Sequence, residues 1–67
     1  MVQIHVNGEA RELPGEPTVA ELVESLSLRP EQVAVEVNRE LVPRQQRAEV
    51  ELNDGDRVEL VTFVGGG

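Results

Sequence analysis

A chain of 67 residues holds one small domain, because domains seldom fall below about 50 residues and a domain this short buries only about 60% of its unfolded surface. That leaves little room for a catalytic cleft, and a net charge of −7 argues against phosphate backbones and anionic membranes and in favour of a partner with basic patches. The absence of cysteine excludes disulfides, thiolate metal sites and Cys nucleophiles, and the apolar segments are too short to cross a bilayer, with no basic region preceding an apolar run at the start. A cytoplasmic protein is expected.

Val2, Ile4 and Val6 alternate with Gln3 and His5, the pattern of a half-buried strand. Asn7-Gly8 then marks a hairpin, since both residues tolerate positive φ, and Glu9 to Leu13 reads as the returning strand. A strict two-residue turn pairs Ile4 with Arg11 on the core face, whereas a Gly bulge shifts that register. Both remain open at this point.

Pro14-Gly15-Glu16-Pro17 ends the hairpin, and Thr18-Val19-Ala20-Glu21 matches a capping box at a helix start. Val19, Leu22, Val23 and Leu26 form one apolar stripe and are expected in the core. Ser27 to Pro30 closes the helix, because the residue before proline avoids the α region. Val33, Val35 and Val37 predict a third strand, Asn38-Arg39-Glu40 a turn, and Leu41-Val42-Pro43 a short edge strand. Arg44 to Ala48 is polar, a loop or helical turn. Val50 and Leu52 look core-facing, Asn53 to Asp56 is a turn, and Arg57 to Val64 is the last and most apolar strand, followed by Gly65-Gly66-Gly67.

One helix that must bury its stripe on one face of a mixed sheet of four to five strands makes a two-layer α+β domain. The last strand, as the most apolar, is placed centrally beside the first. This is the ubiquitin-like β-grasp arrangement, with residues 1–64 as the domain and 65–67 as a flexible tail.

Side chains with catalytic promise are few. His5 is the only histidine and has no evident nucleophile or acid partner; Ser25 and Ser27 lack a base; the carboxylates around Glu49 to Asp56 lack the spacing of an EF-hand. No bound cofactor and no metal is expected. The three terminal glycines are either a loose end or a device. Without Cβ atoms they can extend through a channel that rejects side chains, reaching about 10 Å beyond Val64. The α-carboxylate of Gly67 is then the reactive group, after activation for example as an acyl-adenylate. If Val58 and Leu60 pack under the helix, Glu59, Val61 and Phe63 face away, and Val61, Phe63 and Val64 become an apolar partner-binding anchor. The alternative is that strand twist returns Phe63 to the core.

The whole chain resembles the ThiS family of ubiquitin-like sulfur carriers. The resemblance rests on Val6-Asn7-Gly8-Glu9, the capped helix, Glu36-Val37-Asn38, Val42-Pro43-Arg44, and Asp54-Gly55-Asp56-Arg57-Val58-Glu59-Leu60-Val61-Thr62-Phe63-Val64-Gly65-Gly66-Gly67. It implies a carrier that is a co-substrate and not an enzyme, monomeric when free. A ubiquitin-activating-type adenylyltransferase (ThiF-like) consumes ATP to adenylate Gly67, with Gly65 and Gly66 threading the tail. Sulfur from a donor such as a cysteine desulfurase leaves a thiocarboxylate, which donates it to a thiazole synthase (ThiG-like) in thiamine biosynthesis. Carriers of other pathways (molybdopterin, cysteine or tRNA thiolation), a ubiquitin-like modifier and a plain binding module share parts of this pattern.

Overall fold

The computed structural model describes residues 1–63. Its strands are β1 (Val2–Val6), β2 (Glu9–Leu13), β3 (Val33–Val37), β4 (Glu40–Leu41) and β5 (Arg57–Thr62), with one helix, α1 (Val19–Ser25), between β2 and β3. The sheet order is β2-β1-β5-β3-β4. β5 therefore lies centrally, parallel to β1 and antiparallel to β3, while β2 and β4 form the edges. One helix across a mixed five-stranded sheet is the β-grasp topology expected from the sequence.

The first hairpin adopts the strict two-residue turn. Val6 pairs with Glu9 and Ile4 with Arg11, and Asn7 and Gly8 both have positive φ, 50° and 86°, the requirement of the turn whose twist matches flanking strands. No bulge is needed, because β2 is an edge strand and Arg11 stays exposed while Ile4 is fully buried.

Thr18 caps α1 as its sequence predicts. Its hydroxyl accepts from the Glu21 N–H at 3.2 Å, and the Glu21 carboxylate accepts from the Thr18 N–H at 2.8 Å. The helix ends differently from expectation. Ser27 takes the left-handed conformation, φ 59°, and its N–H donates to the Glu24 carbonyl at 3.0 Å while that of Leu28 reaches the Val23 carbonyl at 3.3 Å. This paired closure satisfies the last helical carbonyls before Pro30 can act. Leu26 consequently falls at the cap, half-buried beside the core, whereas Val19, Leu22 and Val23 are buried.

The core is wholly aliphatic: the three helix residues pack with Ile4, Val6, Val33, Val35 and Val58 from the sheet, plus Val42 and Leu52 from the connections. The edge strand β4 is Glu40–Leu41 and not Leu41 to Pro43: Glu40, expected in the turn, pairs with Val37, while Val42 is buried in this core. Leu52 is buried and Val50 half-buried, and their segment pairs with the helix entry: the Val19 N–H donates to the Val50 carbonyl and the Leu52 N–H to the Pro17 carbonyl, both at 2.9 Å. The final strand is described to Thr62 and ends before Phe63.

Candidate functional site

Because side chains alternate along β5, burying Val58 and half-burying Leu60 under α1 turns Glu59 and Val61 to the opposite face of the sheet. Val61 is 57% exposed and Phe63 54%. The alternative in which Phe63 returns to the core is not adopted. Register extends the patch across the sheet. Ala34 lies opposite Val61, Glu36 opposite Glu59, and Leu41, 64% exposed, opposite Glu36. The open face thus carries Leu41, Ala34, Val61 and Phe63 around two directly opposed carboxylates. Like charges across a strand pair cost stability in the isolated domain, and an approaching cationic group relieves that cost.

Two asparagines hold the strand beneath this face. The parallel β1–β5 ladder has only two pairs, His5 with Arg57 and Val6 with Val58. Past Val6 the chain turns away, and the Asn7 side chain takes over the pairing. Its amide nitrogen donates to the Leu60 carbonyl at 3.2 Å, and its amide oxygen accepts from the Leu60 N–H at 2.8 Å. Asn38, in the β3–β4 turn with φ 52°, does similar work at the other end, its oxygen accepting from the Arg57 N–H at 3.0 Å. Sequence reasoning treats both residues only as turn formers. Nothing local reveals the second role, since Leu60 lies 53 positions from Asn7.

Arg47 is the third residue that pattern reading misses. It directly follows a short helical turn, Arg44–Gln46, in a stretch that reads as a polar loop or helical turn, yet is only 6% exposed. Its guanidinium donates to the carbonyls of Pro30, at 2.8 Å, and Val33, while Nε has no partner. Desolvation, and secondarily the charge of Arg44, lowers its pKa from the ordinary arginine value.

His5 is exposed on the open face opposite Arg57. The Asp54 carboxylate ties the turn to β1, accepting from the Gln3 N–H at 2.7 Å, and the Asp56 carboxylate closes the turn itself, accepting from the Asn53 N–H at 2.8 Å. Among the described residues no three His, Asp or Glu side chains gather as a metal site, and no helix there is long and apolar enough to cross a membrane. Val64, Gly65, Gly66 and Gly67 lie outside the described residues.

Together these features define a ubiquitin-like β-grasp domain whose open apolar face adjoins the end of its central strand. The comparisons narrow this class. The sequence pattern of the ThiS family matches residues 4–67. The sulfur carrier protein ThiS of Escherichia coli is 36% identical over 66 residues, covering 98% of this chain and 100% of that protein. The crystal structure of the thiamine biosynthesis protein ThiS from Geobacter metallireducens superposes with a TM-score of 0.82 at 35% identity, covering 98% of this chain and 100% of that one. The chain belongs to the ThiS family. It is also 42% identical over 66 residues to a thiazole synthase of Paramagnetospirillum magneticum, of which it spans only 20% of the length.

Proposed function

We propose that this protein carries sulfur for thiazole formation in thiamine biosynthesis, with the Gly67 carboxylate as the group that is loaded. The observation that carries this reading is the match along the full length of the Escherichia coli sulfur carrier, within a family pattern that extends through Gly67. The chemistry fits. A carboxylate resists nucleophilic attack until its oxygen is made a leaving group, so an adenylyltransferase of the ubiquitin-activating type transfers AMP to Gly67 and releases pyrophosphate. The terminal sulfur of a persulfide, delivered by a donor such as a cysteine desulfurase, then attacks the glycyl carbon and expels AMP; a thiol reductant cleaves the S–S bond of the acyl disulfide so formed, and the released thiocarboxylate passes its sulfur to a thiazole synthase. The likeness to thiazole synthases favours that acceptor over those of other thiolation pathways.

In this scheme the protein is a co-substrate. ATP binds the activating partner. Val61 and Phe63, with Val64, form the anchor that docks the domain; Gly65 and Gly66 let the tail pass where a Cβ cannot; and the surplus of negative charge complements a basic docking surface.

Intact-mass analysis of the protein isolated from cells making thiamine, and of the protein incubated with the activating enzyme and ATP, tests the proposal. Replacement of one terminal oxygen by sulfur in the first sample and an AMP adduct on the C-terminal peptide in the second are expected. An adduct on an internal carboxylate, or an isopeptide to a lysine with no thiocarboxylate, would overturn it.

A further inference from the structure

Arg47 is a buried arginine whose guanidinium, among the described residues, forms no ion pair. Burying a charge without a counter-charge is costly, and an apolar side chain at such a position would be cheaper. What Arg47 holds is a single short stretch of backbone. Its two donors reach the carbonyls of Pro30 and Val33, which bracket Gln32. The Gln32 carbonyl accepts from the Phe63 N–H at 2.7 Å, beyond the last β5 residue and at the edge of the described chain. At its other end Arg47 is fixed to the helix, its own carbonyl accepting from the Ala20 N–H at 3.0 Å. One line of contacts therefore runs from the start of α1 through Arg47 and the 30–33 turn to Phe63.

We infer that Arg47 is a positioning residue for the end of the central strand: by clamping the 30–33 turn it fixes Phe63, the last described residue, where the chain leaves the sheet. The inference deepens the carrier reading and rests on it for the chemistry, but its geometric half stands alone. Docking depends on the open face carrying Val61 and Phe63, whereas Arg47 bonds the entry to β3 and the start of α1. Removing the clamp leaves Val61 in place within β5 and loosens Phe63, the last described residue, so docking weakens and, beyond that, fewer docked molecules align the carboxylate. The loss then appears in kcat of adenylation more than in KM.

The test compares Arg47→Lys and Arg47→Met with the wild-type chain. Lysine keeps the charge but cannot bridge two carbonyls with a planar fork; methionine keeps only the apolar stem. Amide hydrogen exchange is followed at Phe63 and, as an internal reference, at Asn7, whose N–H donates to the Val58 carbonyl on the opposite side of β5. In both variants exchange at Phe63 should rise about tenfold relative to Asn7, the effect of losing one charge-assisted hydrogen bond from a local opening equilibrium. Adenylation kcat should fall severalfold, by more than any rise in KM. Equal acceleration at both amides, or unfolding of both variants, would make Arg47 a residue of global stability and overturn the inference. An unchanged Phe63 amide would do the same. If the wild-type chain accepts no AMP, the carrier reading fails while the exchange result still decides the clamp.

Discussion

Replacing Asn7 separates two contributions that the first hairpin turn combines. The residue has φ 50°, which an L side chain other than Asn or Asp adopts at a cost of about 1–2 kcal/mol, and its carboxamide makes two hydrogen bonds to Leu60. Asn7→Gly keeps the backbone conformation and removes both bonds. The groups left behind on Leu60 are reachable by water, so each bond contributes toward the lower end of about 0.5–1.5 kcal/mol, and the pair about 1–2. Asn7→Ala removes the bonds and adds the backbone cost, for about 2–4 kcal/mol in all. The two substitutions should leave a common denaturant slope and shift the urea midpoint in the order wild type, Gly, Ala. For a domain of this size the alanine variant loses a large part of a net stability of a few kcal/mol. Wild-type stability in Asn7→Gly would show that the carboxamide adds nothing to the ladder. Equal losses in the two variants would show that the turn does not require positive φ.

Three further outcomes follow from the packing. Leu22→Ala empties a fully buried position in the aliphatic core and should cost about 2–5 kcal/mol, read as loss of the unfolding transition or a large drop in its midpoint; a normal midpoint would contradict the helix placement. Ser27→Gly relieves a left-handed backbone at the helix end and should raise stability by up to about 1 kcal/mol, seen as a higher thermal midpoint. Phe63→Ala removes an exposed ring and should change stability by less than about 0.5 kcal/mol while weakening association with the activating enzyme or thiazole synthase in a titration; a variant that unfolds readily yet binds normally when folded would assign Phe63 to stability alone.

The elements were legible in the sequence wherever period and punctuation agreed. Alternating valines marked β3, the capping box marked the start of α1, and Asn7-Gly8 marked the first turn, because each signal is local and chemical. The exposure of Phe63 was legible only as one of two outcomes, since it depends on how far the twist carries the end of β5. Three features were hidden, the last two of them for a common reason. Ser27 carries no sign of its left-handed conformation, a position glycine usually fills. Arg47 looks like any solvated arginine until the fold places the Pro30 and Val33 carbonyls around it. The Asn7 carboxamide finds its partner only after the two ends of the chain meet in a parallel ladder. Side chains that bond to distant backbone leave no periodic trace.

The choice of asparagine over glycine at two turns now has a physical reason. Asn7 and Asn38 each open a two-residue hairpin turn with φ near that of a left-handed helix, and glycine would meet that demand with less strain. Glycine, however, has nothing to offer β5. Asn38 receives the Arg57 N–H at the start of that strand, and Asn7 exchanges two bonds with Leu60 farther along, from the opposite neighbour. The Gln32 carbonyl, under the guanidinium of Arg47, receives Phe63 at the end. The central strand is thus fastened at successive points by groups from both flanking hairpins and from the turn that precedes β3. A carrier has a physical use for such fastening. A strand held by its ladder alone would peel from its end under a load entering there, first at Phe63 and then at Leu60. Side-chain amides and a clamped turn place additional bonds where such a load would enter, and they leave Val61 and Phe63 exposed.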